Sequence, residues 1–169
     1  NEMRDPNGGG RYRGSIGLGD YRQMAPLMRE HGLIPHIWAK CSDLAFDLPK
    51  AMDEGRQAFV IDHLAGIDVA AGTDAPAFQT LLALLREERI WVKHTLCRNA
   101  PFGSPFDAQR PFHEALLQAN DRQVLWGSDW PLVRMYEHSP DVSELIDIFV
   151  EWTPNAAIRQ RVLVENPAR

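Results

Sequence analysis

The stretch Ala58-Phe59-Val60-Ile61-Asp62-His63 decides the reading of the fold. From Ala58 to Ile61 it is continuously apolar and partly β-branched, and it stops abruptly at two ionisable residues. A run of this kind fits a strand buried on both faces, as in a parallel sheet covered by helices. Upstream, a helix is signalled over residues 44–55, a strand over 33–39 and a first helix over 20–31. In that first helix Asp20 is expected as N-cap, Tyr21, Met24, Leu27 and Met28 form the apolar stripe, and Gly32 takes the left-handed position after the end. Downstream, Thr73 can cap a helix reaching Glu88, with Pro76 in its first turn and Phe78, Leu81, Leu82 and Leu85 on one face. A strand over 90–96 follows, then a Pro-rich loop, a helix over 112–120 and a strand over 123–126. Helices over 142–151 and 154–164 close the pattern, the second with Thr153 at N-cap and Pro154 at N1. Strand and helix alternate, so the expectation is successive β/α units with four parallel strands adjacent in sequence order.

Composition agrees with this class. The chain has 169 residues, 44% hydrophobic and 24% charged, which is ordinary for one soluble domain. The formal net charge of −5 and the lack of a basic block argue against nucleic acid as a partner. No apolar run reaches the ~20 residues that a spanning helix requires, so no membrane association is expected and a cytoplasmic location is the default. Cys41 and Cys97 have no framework spacing and are expected to stay reduced. The chain starts without Met beside the glycine-rich Asn7-Gly8-Gly9-Gly10 and stops at Glu165-Asn166-Pro167-Ala168-Arg169, so residues 1–169 read as a single fragment of something longer.

In parallel β/α folds the chemistry gathers at the carboxyl ends of the strands. His63 ends one strand, Lys93, His94 and Arg98 lie at or past the next, and Asp129 follows the last in Trp126-Gly127-Ser128-Asp129-Trp130-Pro131. A lone Asp there commonly caps a loop, and a lone His is commonly structural. The coincidence of His, Arg and Asp at three successive strand ends favours a site, since a carboxylate beside Arg and His acquires the tuned proton affinity a general base needs. Strand alternation is expected to turn Asp62 away from the pocket into the helix layer, and it leaves Lys93 and His94 undecided. Of His36 and Trp38, one is expected to share the pocket face. His31, His113 and His138 read as exposed, and neither cysteine has a neighbouring base in sequence.

Val60-Ile61-Asp62-His63-Leu64, then Trp91-Val92-Lys93 with Arg98, then Leu125-Trp126-Gly127-Ser128-Asp129-Trp130-Pro131 resemble, in order and across almost the whole chain, the amidohydrolase superfamily. The likeness is strongest to its 2-pyrone-4,6-dicarboxylate lactonase branch. The resemblance implies a (β/α)8 TIM barrel of which these residues form the later half, about strands 5 to 8. It implies that Asp129 is the general base, that His63 polarises the scissile carbonyl, and that Arg98 binds a substrate carboxylate. Arg4 corresponds to a second carboxylate-binding arginine, and Trp38 stands at a substrate-contacting position where relatives often carry Tyr or His. Leu132 stands where His is common. The family's His-x-His has no counterpart, because no two histidines here are one residue apart.

The reading that follows is a hydrolase of a lactone or related carboxylated cyclic ester, independent of metal and cofactor, acting on a small carboxylated molecule. A second reading is a metal-dependent amidohydrolase or decarboxylase in which His63 and Asp129 help to hold a divalent ion such as Zn or Mn. A third is an inactive truncated half-barrel, whose exposed edge would favour self-association and leaves a homo-oligomer open.

Overall fold

The computed structural model describes residues 17–55, 57–99 and 104–169. Arg4 lies outside them. Four strands, β1 (His36–Ile37), β2 (Phe59–Ile61), β3 (Ile90–His94) and β4 (Val124–Trp126), form one sheet in the order β1-β2-β3-β4, and every pairing is parallel. The expected strands and their order are therefore present, each shorter than its apolar run. Residues 33–35 and 38–39 lie outside the first ladder, and Leu33 and Ile34 are exposed.

Helices α1 (Leu18–Glu30), α2 (Cys41–Gly55), α3 (Pro76–Arg86), α4 (Arg110–Asn120), α5 (Val142–Trp152) and α6 (Ala156–Gln160) complete the units. Phe59, Ile61, Ile90, Val92 and Val124 of the sheet share one core with Leu48, Phe78, Leu85, Leu116 and Phe149 of the helices. The other sheet face, with Val60, Trp91, Lys93 and Leu125, lines an open cavity of about 900 Å³. This one-sided cover is what a sector of a closed barrel requires, with helices outside and the inner face turned toward the axis.

Several local expectations are corrected. In α1 the buried stripe is Tyr21, Ala25 and partly Met28, while Met24 and Leu27 face outward. Asp20 stands in the first turn, where its carboxylate accepts the Gly17 N–H at 2.9 Å, and Gly17 is the N-cap. Ala75 rather than Thr73 precedes α3, with Pro76 at its start. Asn155, not Thr153, caps α6, accepting the Ala157 N–H at 2.9 Å, and the helix passes into a π-helical turn at Arg161–Glu165.

His113, expected to be exposed, is wholly buried and lies 2.8 Å through Nδ1 from Nε2 of His94. His113 Nε2 faces the Trp152 carbonyl at 3.3 Å and the Thr153 hydroxyl at 3.2 Å. A carbonyl can only accept, so His113 carries its proton on Nε2 and accepts the Nε2 proton of His94. Both rings are then neutral. Burial is the main cause: it drives His113 down to about 4 and His94 well below the ordinary range. Each ring stays neutral in the folded state while the unfolded chain takes up protons near pH 6.5. Folding stability should therefore be level well above pH 6.5 and fall as pH drops below it toward 4. Urea unfolding at pH 7.5, 6.0 and 5.0 measures this, and His113→Gln should flatten the slope. An unchanged midpoint over that range would contradict the neutral pair.

Candidate active site

The strands stop, and the chain then turns in ways that aim three side chains at one point. After Ile61 the backbone leaves the sheet at Asp62, and His63, Leu64 and Ala65 take left-handed conformations with φ of 54°, 49° and 59°. Gly66 completes the turn at φ 57°, and a Cβ there would run into the Ala39 carbonyl, so only glycine fits. Asp129 is likewise left-handed, at φ 65°, with Gly127 N–H still bonded to the His94 carbonyl at 3.0 Å. His and Asp are among the residues that tolerate this region, and such conformations gather at functional sites. Between them, the loop after β3 is fixed by Gln109, whose buried amide donates to the Leu96 carbonyl at 3.2 Å, and by Asn99, which donates to the Thr95 carbonyl at 3.1 Å. Arg98 stands between these anchors.

These turns bring His63, Arg98 and Asp129 together. Arg98 Nε donates to Asp129 Oδ2 at 2.5 Å, and His63 Nε2 lies 4.0 Å from Asp129 Oδ1. All three side chains are largely covered, at 11% exposure for His63, 13% for Arg98 and 21% for Asp129. The Trp38 ring packs edge-on against His63 with centroids 4.9 Å apart. Burial holds the His63 pKa below its ordinary value, against the pull of Asp129 and Asp62. His63 is therefore neutral near pH 7, and its buried Nδ1 has no hydrogen-bond partner among the described residues. Cys97, which sequence gave no role, points its thiol at Asp129 Oδ2, 3.7 Å away. Burial and the Asp129 charge push that thiol up to about 12, so it is a neutral donor and no nucleophile.

Asp62, expected to turn into the helix layer, faces the inner side of the sheet. Ile61 faces the helices, so Asp62 faces the opposite side, where its Oδ1 accepts from Lys93 Nζ at 2.5 Å. His63 escapes alternation because it is already in the left-handed turn. The same alternation settles β3, where Ile90, Val92 and His94 are buried toward the helices and Lys93 faces the barrel axis. His36 and Trp38, two residues apart, both serve this side: His36 Nδ1 is 3.4 Å from Lys93 Nζ, and Trp38 covers His63. The period-two pattern of β3 alone was enough to place Lys93 on the inner face.

The donor set bears on the metal reading. Among the described residues no three His, Cys, Asp or Glu side chains converge on one point. One oxygen of Asp129 already meets a guanidinium, and a divalent cation on that carboxylate would sit against its charge. The described residues do not by themselves fit a divalent ion. No described helix is long and apolar enough to cross a membrane.

Known proteins similar to this chain identify its family. The chain is 34% identical over 113 residues to a 4-sulfomuconolactone hydrolase of Rhizobium radiobacter, an alignment covering 65% of this chain and 38% of that protein. It is 31% identical over 138 residues to a 2-pyrone-4,6-dicarboxylate hydrolase of Comamonas testosteroni, covering 74% of this chain and 45% of the relative. The chain thus spans less than half the length of these curated relatives. Among solved structures, a Pseudomonas putida protein provisionally assigned as a 2-pyrone-4,6-dicarboxylic acid hydrolase superposes with a TM-score of 0.76 at 25% identity, covering 90% of this chain and 57% of that one. The amidohydrolase family profile matches residues 3–169, and with His63, Arg98 and Asp129 gathered at the strand ends the chain belongs to the amidohydrolase family.

Proposed function

We propose that the whole protein hydrolyses a lactone or related carboxylated cyclic ester, with Asp129 as general base. The observation that carries this reading is the Asp129 carboxylate held at one oxygen by Arg98 and facing neutral His63 with the other. A separation of 4.0 Å is too long for a direct hydrogen bond. One water oxygen at about 2.8 Å from each atom would satisfy both groups. Asp129 takes a proton from that water as its oxygen adds to the carbonyl carbon, forming a tetrahedral oxyanion. As the water oxygen bonds to the carbonyl carbon, the single Nε2 proton of a neutral His63 turns from that oxygen to the carbonyl oxygen and steadies the developing charge. Collapse of the intermediate breaks the ring C–O bond, and the departing ring oxygen takes the proton held by Asp129. The names of the relatives support a lactone bearing further anionic groups.

Arg98 serves this chemistry in two ways. Its Nε fixes Asp129, and its terminal nitrogens are the atoms able to take a substrate carboxylate as a planar fork. Arg4 is proposed as a second carboxylate ligand and Trp38 as the wall beside His63. No cofactor is required by these steps. Two buried, unpaired cysteines support a reducing, cytoplasmic setting.

Kinetics of the whole protein on 2-pyrone-4,6-dicarboxylate and on 4-sulfomuconolactone test this directly. Asp129→Asn should lower kcat by about 10²- to 10⁴-fold while leaving ligand affinity nearly unchanged, since Asn is close in shape but cannot take the proton. Retention of most of kcat would remove Asp129 from the role of base. Arg98→Lys keeps the charge and loses the fork, so it should raise KM and, through the freed Asp129, also lower kcat. Dialysis against a strong chelator should leave activity intact; loss of activity that returns with Zn²⁺ or Mn²⁺ would establish the metal-dependent reading instead.

A further inference from the structure

On the inner face of the sheet, one layer below the reacting groups, lies an ionic cluster that the mechanism above does not use. Asp62 and Lys93 stand side by side, one step past the Ile61–Val92 pair of the β2–β3 register. Lys93 Nζ donates to Asp62 Oδ1 at 2.5 Å, and His36 Nδ1 lies 3.4 Å from Lys93 Nζ and 3.8 Å from Asp62 Oδ1. The carboxylate is four-fifths covered and the ammonium seven-tenths covered, at 19% and 29% exposure. The stem of Lys93 does not point into open space. It lies across Gly127, where an added Cβ would stand 3.0 Å from Lys93 Cδ and 3.2 Å from Cγ. Lys93 therefore touches, with its head, the residue that precedes His63 and, with its stem, the residue two before Asp129.

We infer that Lys93 is a positioning residue, which ties the turn carrying His63 to the turn carrying Asp129 and so sets the distance across which the two groups share a water. The inference rests on the reading of His63 and Asp129 as the reacting pair. Three observations lead to it. Asp62 is also fixed at its backbone, donating from N–H to the Ile37 carbonyl at 2.8 Å and accepting the Ala65 N–H at 3.0 Å, so a pull on its carboxylate is passed to the left-handed turn. At Gly127 an added Cβ would press on the Lys93 stem closely enough that the stem must give by a few tenths of an ångström. Finally, the charge of Lys93 is matched by Asp62, so it is not a spare cation waiting for a substrate anion. Burial acts against the Asp62 carboxylate, but hydrogen bonds from His36 and Lys93 and the Lys93 charge outweigh it and hold its pKa below the ordinary value, which keeps Asp62 ionised.

A pair that merely filled the barrel would change stability when altered but would leave the His63 ring where it is. Two variants of the whole protein separate the cases. Lys93→Met keeps a stem over Gly127 and removes the tie to Asp62; Gly127→Ala keeps both charges and displaces the stem. The first readout is the ¹H–¹⁵N spectrum of the histidine rings, with the His63 signals assigned by their loss in His63→Gln. The second is the split between kcat and KM. Both variants should move the His63 signals and lower kcat by about 10- to 100-fold, as small misplacements of reacting groups do, with KM within about twofold. Unmoved His63 signals in a folded Lys93→Met protein would overturn the inference, whatever the kinetics. If Lys93→Met does not fold, Gly127→Ala decides by the same two readouts. If the wild-type protein hydrolyses neither lactone, the ring spectra still decide whether Lys93 positions His63, and the loss falls on the proposed reaction alone.

Discussion

The ion pair between Arg98 and Asp129 is the contact on which the site depends. It joins the loop after β3 to the loop after β4, and it lies at strand ends where both partners are largely removed from water. Removing one partner of such a pair leaves an uncompensated charge, at a cost of about 3–5 kcal/mol when burial is complete. The partial exposure of both side chains makes that an upper figure here. The pair also decides the chemistry. With one carboxylate oxygen occupied by Arg98, the other faces His63, and His63 is kept neutral by its own burial. A carboxylate oxygen and a neutral imidazole thus stand on either side of a 4.0 Å gap.

The two faces of β3 divide the polar groups by what surrounds them. Toward the helices, His94 and His113 are enclosed by Phe149 and Trp152 and persist only as neutral rings, joined to each other through one hydrogen bond. Toward the barrel axis, Lys93 and Asp62 form an adjacent, incompletely covered ion pair. A histidine on the first face has a structural task, whereas His63, beyond the strand, has a partner across a gap. Residue type alone does not separate these roles; the face does.

Much of this was legible in the amino-acid sequence. Long apolar runs bounded by polar residues gave the strands and their parallel order, since a strand buried on both faces has few other ways to occur. Residues at the strand ends gave His63, Arg98 and Asp129. Strand alternation does not extend to His63, because the strand ends at Ile61 and His63 already lies in a left-handed turn that only Gly66, three residues on, signals in the sequence. His113 was misread as exposed although it lies three residues before buried Leu116 on the same helical stripe. The caps expected at Asp20, Thr73 and Thr153 differ from those found because α1 and α3 start after Gly17 and Ala75, which carry no capping side chain to mark them, while Asn155, two residues past Thr153, caps α6. The contact between Lys93 and Gly127 has no local signal, because it joins neighbouring strands through space.

The central claim is that Asp129 activates water rather than attacking the carbonyl itself. A single turnover of the whole protein on 2-pyrone-4,6-dicarboxylate in H₂¹⁸O, with enzyme in excess, addresses it most directly. The account predicts one ¹⁸O in the newly formed product carboxylate and none in the peptide that contains Asp129. Label in the Asp129 peptide, with an unlabelled product, would show that the carboxylate had formed an acyl bond and would contradict it.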